Sequence, residues 1–269
     1  MTAIPPRLSH TICIVALGLC LGQALADPPA AAPPISPAPV ANASDQTPAD
    51  FLDMVGQRTK ARWRLLFRPP PPTPPTDRGR AALILGSLLG DSFLVWQATD
   101  SQQFRNNNQD VLTYCRMLGV GEKLMPRLMA QGKMAEDSEW KDLRHEIVDG
   151  HRELVRMLRE QKDDDLALMI DLGLWLRVLE IASTIVTDTA TEELRPLCIG
   201  SPLILQDMRD DFSRLSASKR EEAMVKRIGT TIDEISTLWK DVNKVPPTQI
   251  QVAKTNEKLK ELMQAVMDK

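Results

Sequence analysis

Two stretches of this chain leave no side for water. Ala81 to Ala98 reads AALILGSLLGDSFLVWQA, and Leu166 to Ala182 reads LALMIDLGLWLRVLEIA. A helix of either sequence is apolar nearly all round, and such a helix is stable in water only when other helices enclose it. The first is the most apolar stretch beyond residue 26, yet it is short for a bilayer span and carries Asp91. The pair predicts an all-α fold, a multi-helix bundle built around two central helices. Gly86 and Gly90, four residues apart, give the first of them a small-residue face that another helix can approach closely.

The rest of the stretch from 77 to 269 supports about seven or eight helices in one helical domain. Trp140 to Leu158 and Ile250 to Met267 carry one-sided apolar stripes suited to packing around the central pair. Thr76 and Asp77 cap the first helix, Gly119 and Gly121 interrupt after Leu118, and Pro126 suits a first helical turn. Thr189 with Glu192 and Ser218 with Glu221 have capping-box spacing, and Pro246-Pro247 sets off the last helix. Strand signals are nearly absent, because aromatic residues are scarce and β-branched residues do not alternate.

Upstream, four segments of different character precede this domain. Residues 1–26 read as a cleavable signal peptide: Arg7 is the one charge before an apolar run from Thr11 to Leu21, and Ala24-Leu25-Ala26 places small residues where a signal peptidase cuts. Cys20 offers a lipidated alternative, although Leu19 stands where a small residue is expected. Residues 27–50 are a Pro/Ala-rich tether too poor in apolar side chains to offset the entropy of ordering. Residues 51–68 read as a separate basic amphipathic helix, with Leu52, Val55, Thr59, Trp63, Leu66 and Phe67 on one side and five basic residues against Asp53. Residues 69–76 form a proline-rich spacer that ends this helix and favours extended polyproline geometry.

Removing residues 1–26 leaves 32 basic and 36 acidic side chains, a net charge of −4 that is ill suited to gripping phosphates, so nucleic acid is not expected as a partner. The remaining cysteines, Cys115 and Cys198, would sit in an oxidising compartment. A disulfide between them and a pair of buried thiols are both open.

The stretch His145 to His151, HEIVDGH, opens like a zinc-protease helix and then departs from it. That motif needs histidines four apart on one face, whereas these are six apart and diverge by about 120° at 100° per residue. His151 falls beside the apolar stripe of Trp140, Leu143, Ile147, Leu154 and Leu158, and His145 falls toward water. No metal and no cofactor are expected, and Asp163-Asp164-Asp165 serves as the acidic start of a helix. No nucleophile elbow, Gly-rich phosphate loop or haem-attachment motif is present, so no catalytic residue is assigned and an enzyme is not expected.

Charges inside the central helices are the more informative feature. Asp91 falls among Ile84, Leu88, Leu94 and Val95, and Arg177 falls among Ile170, Leu174 and Ile181, with Glu180 one turn on. A buried charge left alone costs several kcal/mol, so Asp91 and Arg177 are expected to meet. The pair either fixes helix register or, with Glu180, lines a pocket for a small polar ligand. The basic helix also has open readings. Through Arg58, Arg62, Trp63, Arg64 and Phe67 it could lie on an anionic membrane, bind an unidentified protein partner, or dock on its own domain, which has the opposite net charge.

The segments LGSLLGDSFLVWQATD and DLGLWLRVLE resemble those of a group of exported, all-helical bacterial proteins, over the region from Ala81 to Leu205. The resemblance implies a bacterial cell envelope as the location and brings no activity with it. The sequence therefore points to a periplasmic or secreted helical binding or scaffold protein, with a small-ligand-binding protein as the alternative.

Overall fold

The computed structural model describes residues 46–268 apart from Ala190 and Asn243. The expected signal peptide, Cys20 and the expected tether up to residue 45 lie outside the described residues. Among the described residues ten α-helices follow one another: α1 Pro48–Arg58, α2 Arg78–Ala98, α3 Ser101–Met117, α4 Gly121–Glu136, α5 Trp140–Glu160, α6 Asp164–Thr189, α7 Pro202–Arg214, α8 Ala217–Arg220, α9 Ala223–Leu238 and α10 Gln249–Met267. Two 3-10 segments, Trp63–Leu66 and Glu192–Cys198, complete the list, and no strand occurs among the described residues.

The two central helices of the sequence are α2 and α6, which share the most extensive contact in the fold. Every residue from Ala81 to Val95 is buried. By length and composition α2 is able to cross a membrane, but 83 % of its apolar stretch is covered by neighbouring helices. Around this pair, α3 lies on α2 and pairs with α4, α5 covers α4 and α6, α7 and α10 pack on α6, and α9 packs on α7 and α10. The backbones of α2 and α6 come closer than side chains permit. A Cβ at Gly86 would overlap the carbonyl oxygen of Ile170, and one at Gly173 would overlap that of Leu83. Gly86 fulfils the expected role, and Gly173 is its counterpart on α6.

The N-terminal segment departs from expectation. It is not one separate helix over 51–68 but a docked helix followed by a reversal. The helix begins earlier, because Thr47 and Asp50 form a capping box (Thr47 Oγ1 accepts from the Asp50 amide at 3.1 Å) and Pro48 suits the first turn. Residues 46–50 thus belong to the folded domain and not to the tether. Phe51, Leu52 and Val55 are fully buried against α2 and α6. The helix stops at Arg58, and the chain folds back so that Trp63 packs on Gly56, where a Cβ would lie 3.1 Å from Trp63 Cζ2. In a continuous helix these two residues would be separated by about 10 Å along the axis.

Three local expectations are also corrected. Pro126 lies in the second turn of α4, on an exposed face where the carbonyl it leaves unpaired can be hydrated. Thr189 belongs to the last turn of α6 and bonds back to the Ile185 carbonyl, so it caps nothing downstream. Ser216, and not Ser218, caps α8, accepting from Lys219 N, and α9 starts after Glu222 without a side-chain cap. By contrast Asp77 caps α2, Gly119 turns the chain between α3 and α4 with φ +80°, and Thr248 with Gln251 caps α10 after the two prolines.

Gly173→Ala therefore forces α2 and α6 apart and is expected to lower stability by about 3 kcal/mol or more in urea denaturation. Gly132→Ala, at a helical site open for 4 Å around, is expected to raise it by up to about 1 kcal/mol. Equal midpoints for the two variants would contradict the close approach.

Candidate functional site

The buried charges meet where α2 and α6 cross. Gly90 on α2 makes room for the stem of Arg177, since a Cβ there would lie 2.9 Å from Arg177 Cγ and 3.0 Å from its Cβ. The guanidinium then reaches Asp91, donating from Nε to Oδ1 at 2.9 Å, with Nη2 2.7 Å from the same oxygen. Its Nη1 donates to Glu180 Oε2 at 2.8 Å, and Nη2 donates to the carbonyl of Leu66 at 2.5 Å. The second oxygen of Glu180 accepts from Arg68, which stands just before the proline spacer. Arg177, Asp91 and Glu180 are each at most 3 % exposed, whereas the Arg68 side chain is 27 % exposed.

The result is two carboxylates and two guanidiniums, balanced in charge and joined across α2, α6 and the N-terminal segment. All three guanidinium nitrogens of Arg177 have partners. Burial pushes the Asp91 carboxyl up to about 6, against the pull of Arg177. Burial works against the charge of Arg177 too, but the Asp91 and Glu180 carboxylates outweigh it and hold that pKa above its ordinary value. Two polar atoms beside the network, Ser87 Oγ and Arg68 Nη1, are buried without a hydrogen-bond partner.

Other candidates resolve differently. His151 is partly buried, with Nε2 2.8 Å from Asp171 Oδ1, and His145 is exposed, as the helical wheel requires. No group of metal-binding side chains forms among the described residues. Asp163 pairs with Arg78 at 2.8 Å, and Asp165 accepts from the Ser216 amide at 2.8 Å. Cys115 and Cys198 are both buried free thiols, so the disulfide is not formed; burial pushes both up, Cys115 to about 12.

In the basic segment, Trp63 and Phe67 are partly buried, packed against the core. Arg64 pairs with Asp100 at 3.2 Å, Arg58 donates to the Glu193 carbonyl at 3.2 Å, and Arg62 stays exposed. Docking on its own domain is the reading these contacts satisfy. A second latch that sequence patterning missed holds α1: Arg144 on α5 reaches Asp50 at 2.5 Å and Asp53 at 2.9 Å, with its guanidinium 5.9 Å from the Trp96 ring centroid. Also missed were Arg68 and the Leu66 carbonyl, because their role depends on a chain reversal with no periodic signature.

Grooves of about 390 to 590 Å³ occur on the described surface, but Asp91, Arg177 and Glu180 do not line them. No family model matches this chain, and no curated protein or solved structure matches it either.

Asp91→Ala leaves Arg177 short of a counter-charge in the core and is expected to cost about 3–5 kcal/mol in chemical denaturation. Arg68→Ala, at a partly solvated site where Arg177 still serves Glu180, is expected to cost about 1–2 kcal/mol. An unchanged midpoint for Asp91→Ala would refute the buried pairing. The pH dependence has a definite sign. Folded Asp91 binds its proton at about 6 and an unfolded aspartate near 3.8, so acidification through that window favours the folded state. The stability advantage of the wild type over Asp91→Asn should therefore grow between pH 7 and pH 4.5, and a constant gap would contradict the raised pKa.

Proposed function

We propose that this chain is an exported, non-catalytic helical protein of the cell envelope, acting as a binding module or scaffold. The observation that carries this reading is the internal pairing of Arg177: Asp91, Glu180 and the Leu66 carbonyl give each of its three guanidinium nitrogens a partner. Charges spent on each other in the core fix how helices sit, a use attested for buried polar groups. The Leu66 carbonyl and Arg68 lie over this network, so a small polar ligand would reach Arg177 only by displacing them. Binding then belongs to the outer surface. The export half of the proposal rests on the sequence of residues 1–26 and on the resemblance of the central segments to exported bacterial proteins.

Native mass spectrometry of the chain recovered by osmotic shock from a bacterial host tests both halves. The expected species is the chain beginning at Asp27, free of any small molecule. A full-length species confined to the cytoplasm would refute export. A stoichiometric small-molecule adduct that disappears in Arg177→Met would refute the scaffold reading in favour of a ligand site.

A further inference from the structure

The end of the bundle where α6 stops gathers exposed apolar side chains that the core does not use. Leu65, Val245 and Ile250 are 73 %, 60 % and 67 % exposed, and they are three of the five large hydrophobic side chains exposed among the described residues. They come from segments far apart in sequence and are brought to one end by named contacts. Leu65 lines a groove of about 500 Å³ with Asp188 and Thr189 of the last turn of α6. From there Arg58 bonds to the Glu193 carbonyl, and Arg195, two residues on, donates to the Pro247 carbonyl at 3.2 Å, between Val245 and Ile250. Asn256 on α10 bonds Ser183 and Thr184, so α10 begins beside the end of α6.

Charge at this end runs opposite to that of the chain as a whole. The N-terminal segment supplies Arg58, Lys60 and Arg62, with Lys60 and Arg62 on the rim of the groove. The 3-10 segment and the loop before α10 add Arg195, Lys240 and Lys244, and Asp188, Glu192, Glu193 and Asp241 stand against them. With the Arg64–Asp100 and Lys244–Asp241 pairs set aside, five cations stand against three carboxylates, in a chain whose net charge is −3.

We infer that this end is a docking surface for an anionic lipid bilayer, with Leu65, Val245 and Ile250 as shallow anchors and the lysines and arginines at the headgroups. This deepens the reading of the chain as an envelope protein and rests on it. The form of the patch selects a bilayer over a protein groove. The apolar tips are separate points, and Lys60 and Arg62 beside Leu65 are exposed and carry no ion pair among the described residues, an arrangement that a fluid interface accepts at any spacing. Trp63 and Phe67 are partly buried against the core, so the apolar residue that the segment exposes most is Leu65.

The test is co-sedimentation of the host-processed chain with vesicles of phosphatidylcholine alone and of phosphatidylcholine with phosphatidylglycerol, at low and high salt. Binding is expected only with phosphatidylglycerol and is expected to fall at high salt. Lys60→Glu with Arg62→Glu should weaken it more than tenfold, since each cation near an anionic surface contributes about fivefold. Leu65→Ser with Ile250→Ser should weaken it severalfold. These positions are exposed, so urea midpoints should match wild type, which separates lost binding from lost folding. Absence of binding to phosphatidylglycerol vesicles, or binding that both variants leave intact, would overturn the lipid surface. Osmotic-shock fractionation reads export separately, so an exported chain that ignores vesicles would sink this inference and leave the envelope reading standing.

Discussion

The backbones of α2 and α6 touch at Gly86 and Gly173, and the arrangement of everything else follows from that contact. Two helices this close exclude ordinary side chains from the seam between them. A long side chain can leave the seam only where a further glycine stands opposite, as Gly90 does for Arg177. The charge that emerges has to be neutralised within the protein, because burying it unpaired costs more than the whole net stability of many domains can spare. Asp91 and Glu180 supply that neutralisation, and the Leu66 carbonyl and Arg68 complete it.

This explains why the N-terminal segment cannot be a separate helix. Its apolar residues Phe51, Leu52 and Val55 cover part of α2 and α6, and its polar end supplies groups that the buried network lacks. A straight helix from 51 to 68 would carry Leu66 and Arg68 along its own axis. The reversal after Arg58 and the 3-10 segment at Trp63–Leu66 turn them toward Arg177 instead. Arg144, gripping Asp50 and Asp53, fixes the other end of the same segment.

What could be read from the amino acids divides along physical lines. The central helices were legible because an all-round apolar surface has one stable environment, and Asp91 with Arg177 because opposite charges inside two such helices have few other partners. The division between His151 and His145 followed from helical geometry alone. The reversal at Thr59 was not legible, since Leu52, Val55, Trp63 and Leu66 keep a helical period across it; the period reports which side is buried and says nothing of continuity. Capping signals at Thr189 and Ser218 misled because similar residues lie within a few positions, and tertiary packing decided which of them ended a helix. The cysteines carried no geometry at all, and their burial as free thiols came only with the fold.

Within this core the Asp91–Arg177 contact ties α2 to α6. A double-mutant cycle on Asp91→Asn and Arg177→Met, followed by urea denaturation, measures that contact most directly. Coupling of about 2 kcal/mol or more, with the double variant more stable than Asp91→Asn alone, is the expected result. Additive effects of the two substitutions would mean that the charges do not meet and that the network does not hold the helices in register.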